Sequence, residues 1–144
     1  MIRPYADHDT DAVVSIWRAA VARAHSFLSI PFLEMEEENV RNVYPAFADI
    51  WVLEDNAMPI GFIALVGAEV GAIFLHPDHH GKGHGRAMMD FAVARKGAVT
   101  LDVFKANAIG RAFYDRYGFT QVKEYVHEAS GQDMLTLAFT PDPG

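Results

Sequence analysis

From residue 69 to residue 95 the chain reads EVGAIFLHPDHHGKGHGRAMMDFAVAR. An apolar, β-rich run is stopped by Pro77, glycine recurs at alternate positions 81, 83 and 85, and an apolar helical pattern begins at once. That order predicts a strand over 69–75, a tight loop, and a helix over 84–95. Glycine loses more conformational freedom on folding than any other residue. Three within five positions are a cost that a close approach to this backbone must offset.

The remaining patterns build an α/β order around this unit. Residues 1–5 read as a short strand, and Asp7 or Asp9 can cap a helix whose apolar positions Val13, Val14, Trp17, Val21 and Ala24 follow the 3.6-residue period. Pro31 suits the first turn of a second helix, with Leu33, Val40, Val43 and Tyr44 on its buried side. DIWVLEDNAMPIGFIALVG reads as a hairpin around Asp55–Pro59, and AVTLDVF (98–104) as a further strand. NAIGRAFYDRYG (107–118) is a helix closed by Gly118, and FTQVKEYVH and DMLTLAFT form a last hairpin around Ser130-Gly131-Gln132. The expected order is β-α-α-β-β-β-α-β-α-β-β, a mixed sheet with helices on its faces.

Bulk properties narrow the function. A chain of 144 residues suits one domain with one sizeable core, taken as residues 1–140, with a tail at 141–144 that frays. No apolar run approaches the roughly 18–20 residues of a membrane span. MIRPYADHDTD carries acids where a leader peptide is basic and then apolar, so a cytoplasmic protein with no membrane partner is expected. Without cysteine there is no disulfide, thiolate metal site or cysteine nucleophile. The net charge of −7 is uneven: residues 1–81 carry twelve acidic against four basic side chains, and residues 82–123 eight basic against three acidic. An acidic first half argues against nucleic acid as a partner. Two solvated faces would account for the asymmetry, as would a cationic ligand on one half and an anionic ligand on the other.

The glycine loop supplies a site for the anion. The first amides of a helix lack internal partners and lie at the positive end of its dipole, and glycines let phosphate oxygens approach them. Lys82 and Arg86 add charge. The spacing is G-x-G-x-G, one residue short of the dinucleotide fingerprint, and no P-loop motif is present.

HGKGHG (80–85), MPIGFIAL (58–65) and NAIGRAFYDRYGFTQV (107–122) together resemble the GNAT superfamily of acetyl-CoA-dependent N-acetyltransferases. That family carries [QR]-x-x-G-x-[GA] between its fourth strand and third helix, and His80 stands here in place of the Gln or Arg. The resemblance spans the whole chain. It implies the GNAT fold, a mixed sheet of about seven strands with four helices, in which strands 4 and 5 splay apart. It also implies an acetyl-CoA site, with backbone groups of Phe74 and Leu75 on the pantetheine. The amides of His80, Gly81, Lys82, Gly83, His84, Gly85 and Arg86 would hold the pyrophosphate, and Asn107 would contact the pantetheine arm. Dimers are common in the family, so a homodimer is compatible with it.

Acetyl transfer to an amine needs a neutral nitrogen, a stabilised oxyanion and a protonated leaving thiolate. With no cysteine for an acyl-enzyme, direct attack in a ternary complex is expected. Tyr114 matches the tyrosine that the family places beside the cofactor sulfur and is the candidate acid; a core aromatic is the alternative. Glu69 lies at the strand-4 position where several members carry a catalytic Glu, although a solvated strand-end carboxylate would look the same. The base is Glu69, His25 or ordered water. His25, in AHSFLS between the first two helices, lies where the fold builds its acceptor pocket and can bind substrate, relay a proton or simply pack; Phe27 stands beside it. Glu34, Glu37 and Glu38 share a face of the second helix, either as a solvated face or as an attractor for a cationic substrate; of small-molecule and peptide amines, the expected acceptor is a small cationic amine. His76, His79, His80 and His84 lack a regular ligand spacing, so no metal is expected. The alternative to an enzyme is a GNAT-fold module that holds acyl-CoA without turnover.

Overall fold

The computed structural model describes residues 1–142, so residues 143 and 144 of the expected tail lie outside the described residues. The strands are β1 (Ile2–Pro4), β2 (Asp49–Asp55), β3 (Met58–Val66), β4 (Glu69–Leu75), β5 (Val99–Phe104), β6 (Thr120–His127) and β7 (Gln132–Phe139). The helices are α1 (Thr10–Ala24), α2 (Ile30–Glu38), α3 (His84–Lys96) and α4 (Ala108–Tyr117). One seven-stranded sheet runs in the order β1-β2-β3-β4-β5-β7-β6. Every neighbouring pair is antiparallel except β4 with β5, which is parallel and in register at one position, Glu69 with Thr100. Beyond that pair the two strands have no shared ladder, which is the splay expected of strands 4 and 5.

Alternation along β3 divides the core between the two faces of the sheet. Phe62 and Ala64 pack with Val14, Trp17 and Val52 under α1, while Ile63 and Leu65 pack with Met88, Met89 and Leu101 under α3. A period of two puts successive side chains on opposite faces, so one apolar strand serves both layers. The β2–β3 turn carries Asn56 and Ala57 at φ of 52° and 64°. Paired positive φ values match the right-handed twist of a two-residue hairpin.

Two expectations are corrected. Asp9 does stand at the start of α1, but its carboxylate does not cap that helix. It accepts from Ala6 N at 2.8 Å and from both terminal nitrogens of Arg3 at 2.8 Å each, tying β1 to α1. The second helix does not continue regularly to Tyr44. After Glu38 it widens into a π-turn at Asn39–Val43 and tightens into a 3₁₀ turn at Tyr44–Ala46. The wider turn changes the helical phase, so Val40 is buried while Val43 is exposed. Pro45 removes a backbone donor and disfavours continuation.

Candidate active site

The splay between β4 and β5 opens two adjoining cavities of about 480 and 690 Å³. They share His25, Ile73, Phe74, Asn107 and Tyr114 in their walls. Their charges are opposite. The smaller is lined by the carboxylates of Glu36, Glu69 and Asp102, with no Lys or Arg among its described lining residues. The larger is lined by Arg86 and Arg116 beside the glycine loop, with no Asp or Glu among its described lining residues.

Asn107 organises the junction. Its Oδ1 accepts from Gly110 N at 2.9 Å and caps α4, which turns its Nδ2 toward His25 Nε2 at 3.1 Å. An amide nitrogen can only donate, so His25 Nε2 is the acceptor and the ring proton of neutral His25 sits on Nδ1. Burial pushes the pKa of His25 down to about 4. With its free lone pair engaged and its basicity lowered, His25 is a poor proton acceptor at neutral pH. Phe27 lines neither cavity; it packs edge-on against His25 and Phe104 at centroid distances of 5.7 and 5.5 Å. Tyr114 reaches the same junction from α4 and packs against Phe113 and Phe119 at 5.4 and 5.6 Å. Burial raises its pKa above the ordinary phenol value, so its hydroxyl keeps its proton.

The loop's glycines have two different reasons. Gly81 and Gly83 lie at φ of +80° and +84°, and nothing stands within 4 Å of where a Cβ would project. Gly85 is in helical conformation, and a Cβ there would meet the Phe113 ring at 3.2 Å. Its missing side chain admits α4, an internal approach that the sequence pattern does not distinguish from a ligand. His80 Nε2 lies 3.3 Å from Leu75 O, joining the loop to the end of β4. Arg86 stacks over Tyr117 at 5.1 Å. His80, Gly81, Gly83, His84, Gly85 and Arg86 line the larger cavity, whereas Lys82 is exposed and does not. Phe74 and Leu75 pair with β3 on one side; on the other they lie beyond the single β4–β5 register pair.

Of the two neighbouring α2 acids, Glu36 rather than Glu37 lines the smaller cavity. Glu37 is paired with Arg18 and lies outside both cavities. Glu36 accepts from Tyr44 Oη at 3.1 Å and lines the smaller cavity. In the folded helix it stands four residues from each of the buried Phe32 and Val40, on the inner face. Asp102 is also missing from the sequence reading, although it alternates with the buried Leu101 and Val103 and shares the face of Phe104. It accepts from Tyr125 and Thr136, each at 2.7 Å. Burial, then the neighbouring carboxylate, pushes Tyr44 and Tyr125 each up to about 12.

Comparisons with known proteins agree with this geometry. A family model described as an acetyltransferase (GNAT) domain matches residues 46–121. The peptidyl-lysine N-acetyltransferase YjaB of Salmonella typhimurium is 32% identical over 119 residues, covering 82% of this chain and 81% of that protein. The solution structure of apo YjaB from Escherichia coli superposes with a TM-score of 0.87 at 29% identity, covering 96% of this chain and 95% of that one. The structure of YncA from Salmonella typhimurium with its cofactor acetyl-CoA has a TM-score of 0.70 at 18% identity, covering 100% of this chain and 95% of that one, a likeness of fold. A glycine loop at the mouth of a wedge between two parallel strands, in a chain with these relatives, identifies this protein as a GNAT-superfamily N-acetyltransferase.

Proposed function

We propose that the protein transfers the acetyl group of acetyl-CoA to the side-chain amine of a peptidyl lysine, by direct attack where the two cavities meet. The opposite charges of the adjoining cavities carry this reading. A carboxylate-lined pocket suits an ammonium group, and an arginine-lined cleft suits a diphosphate. The relatives named as peptidyl-lysine N-acetyltransferases supply the substrate class.

The larger cavity fits the cofactor, because Gly81 and Gly83 leave open space around their backbones and Arg86 and Arg116 flank it. Acetyl-CoA, when bound, supplies the activated acetyl thioester. Backbone groups of Phe74 and Leu75 hold the pantetheine, and the amides of residues 80–86 the diphosphate. Asn107 and His25 brace the junction. Glu36, Asp102 and Glu69 hold the incoming ammonium, and Glu69 takes its proton, directly or through a water, so that the amine becomes nucleophilic. Tyr114 holds a proton at Oη for the departing thiolate.

The test is thiol release and peptide mass, measured with acetyl-CoA and a lysine peptide. Turnover on the free-lysine peptide, and none when that lysine is blocked, is the expected result. Its KM should rise with ionic strength as salt screens the acidic cavity. Glu36→Gln should raise KM several-fold and leave coenzyme A affinity unchanged. Preference for a neutral or anionic acceptor would defeat the proposal.

A further inference from the structure

A group of metal-ligating side chains stands beside the cofactor cleft, and acyl transfer uses none of it except the rim residue His84. His79 ends a 3₁₀ turn at Pro77–His79, His84 opens α3, and Asp55 ends β2 at the neighbouring hairpin. The sheet brings them together: His76 N donates to Ile60 O at 2.8 Å, docking the start of the histidine-rich loop beside the hairpin that Asp55 begins. One ligating atom from each of Asp55, His79 and His84 lies within 4.8 Å of the other two.

A second observation points to an occupant. His79 Nδ1 is buried and has no hydrogen-bond partner, the one such side-chain atom among the described residues. A neutral imidazole carries one donor and one acceptor nitrogen, and leaving either one buried and unpaired is unfavourable. The ring is short of one polar partner, and a cation held among these three side chains through His79 Nδ1 would supply it. An anion would not, because the Asp55 carboxylate stands within the group. The other two histidines of this segment are engaged elsewhere: His76 Nδ1 accepts from Asp78 N at 3.2 Å, and His80 Nε2 lies against Leu75 O at 3.3 Å.

We propose that Asp55, His79 and His84 bind one divalent transition-metal ion of the zinc class, with water completing its coordination. Two imidazoles and one carboxylate suit zinc and its neighbours, whereas magnesium and calcium prefer shells of oxygen. Tetrahedral bonds of about 2.0–2.1 Å set ligand atoms roughly 3.3 Å apart, so the three must draw together on binding. Asp55 is exposed and His84 partly so, which leaves both side chains room to rotate. The spacing His79-x4-His84 shows no repeat in the sequence, and the third ligand comes from a hairpin 24 residues earlier than His79.

The experiment titrates Co²⁺ into the untagged protein, without cofactor or peptide, and follows its visible ligand-field absorption. A saturable band at one ion per chain is expected, displaced by Zn²⁺ and not by Mg²⁺. His79→Gln and Asp55→Asn should each weaken binding by about tenfold or more, the scale of a lost interaction at a metal. His76→Gln, in the same segment but outside the group, should leave it unchanged. Asp55→Asn lies on an exposed hairpin and keeps the test independent of any folding defect in His79→Gln. No saturable band, or wild-type affinity in the Asp55→Asn protein, would overturn the site. Neither result bears on acetyl transfer, because coenzyme A and peptide are absent.

Discussion

In the proposed transfer Tyr114 is the proton donor. Its ring packs against Phe113 and Phe119, and the residue lines both cavities. Tyr114→Phe keeps that packing and removes only the donor. A kcat lowered by about 10², with coenzyme A affinity within twofold of wild type, is the expected outcome for a lost general acid. Stopped-flow or steady-state rates under conditions where chemistry limits turnover check it; equal rates would return Tyr114 to a packing role. His25, the other titratable side chain at this junction, is proposed to brace it rather than to carry a proton. Asn107 binds its lone pair and burial lowers its basicity, so replacement should alter packing around Phe27 and Phe104 rather than the pH profile of the chemical step.

At the scale of elements, the loop between β4 and α3 separates two demands that look identical in sequence. Gly83→Ala meets no neighbour but forces an L-residue into a left-handed conformation, a strain of roughly 1–2 kcal/mol. Should the loop bind the diphosphate with these amides, coenzyme A affinity in calorimetry should fall by tenfold or more. Gly85→Ala instead drives a methyl against Phe113, so its main effect should be a lower Tm through the α3–α4 contact. Equal effects of the two variants on both readouts would remove the distinction. The π-turn after α2 is a second feature of this scale. It turns Val43 out to solvent and ends with Tyr44 donating to Glu36, so an irregular helix end places an acceptor for the carboxylate that lines the smaller cavity.

Across the whole molecule, the burial of His25 and the pairing of Asp9 with Arg3 make stability depend on pH on the acid side. His25 has a folded pKa of about 4 against 6.5 for the free side chain, so the unfolded chain takes up the proton first as pH falls. Its contribution is fully present above pH 6.5 and is lost between 6.5 and about 4, amounting to about 3 kcal/mol. Asp9 extends the loss: hydrogen bonds from Arg3, working against burial, lower it to about 2, so its share is present above 3.8 and disappears as pH falls toward 2. Urea unfolding at a series of pH values should show both slopes. His25→Gln should flatten the upper one and keep the lower; an unchanged profile would place the titration elsewhere.

Periodicity and local chemistry determined by themselves the number and order of the main strands and helices and the glycine loop. Each of these is set by residues within a few positions of one another: alternation in MPIGFIAL, the 3.6 period in helix 10–24, Pro77 after a strand, Gly118 after a helix. The family motif likewise lies in continuous segments, so membership in an acetyltransferase family was legible before any coordinates. Which carboxylate faces the cleft was not. Glu36 and Glu37 are neighbours in sequence, and only the docking of α2 on α1 pairs Glu37 with Arg18 and turns Glu36 inward. Partnerships across the chain were also hidden. His25 and Asn107 are 82 residues apart, and Asp55 meets His79 and His84 only because β3 seats the loop beside the hairpin. A backbone pattern records short-range preference, whereas side-chain protonation, charge separation and ligand grouping depend on distances that exist only once the sheet has closed its layers.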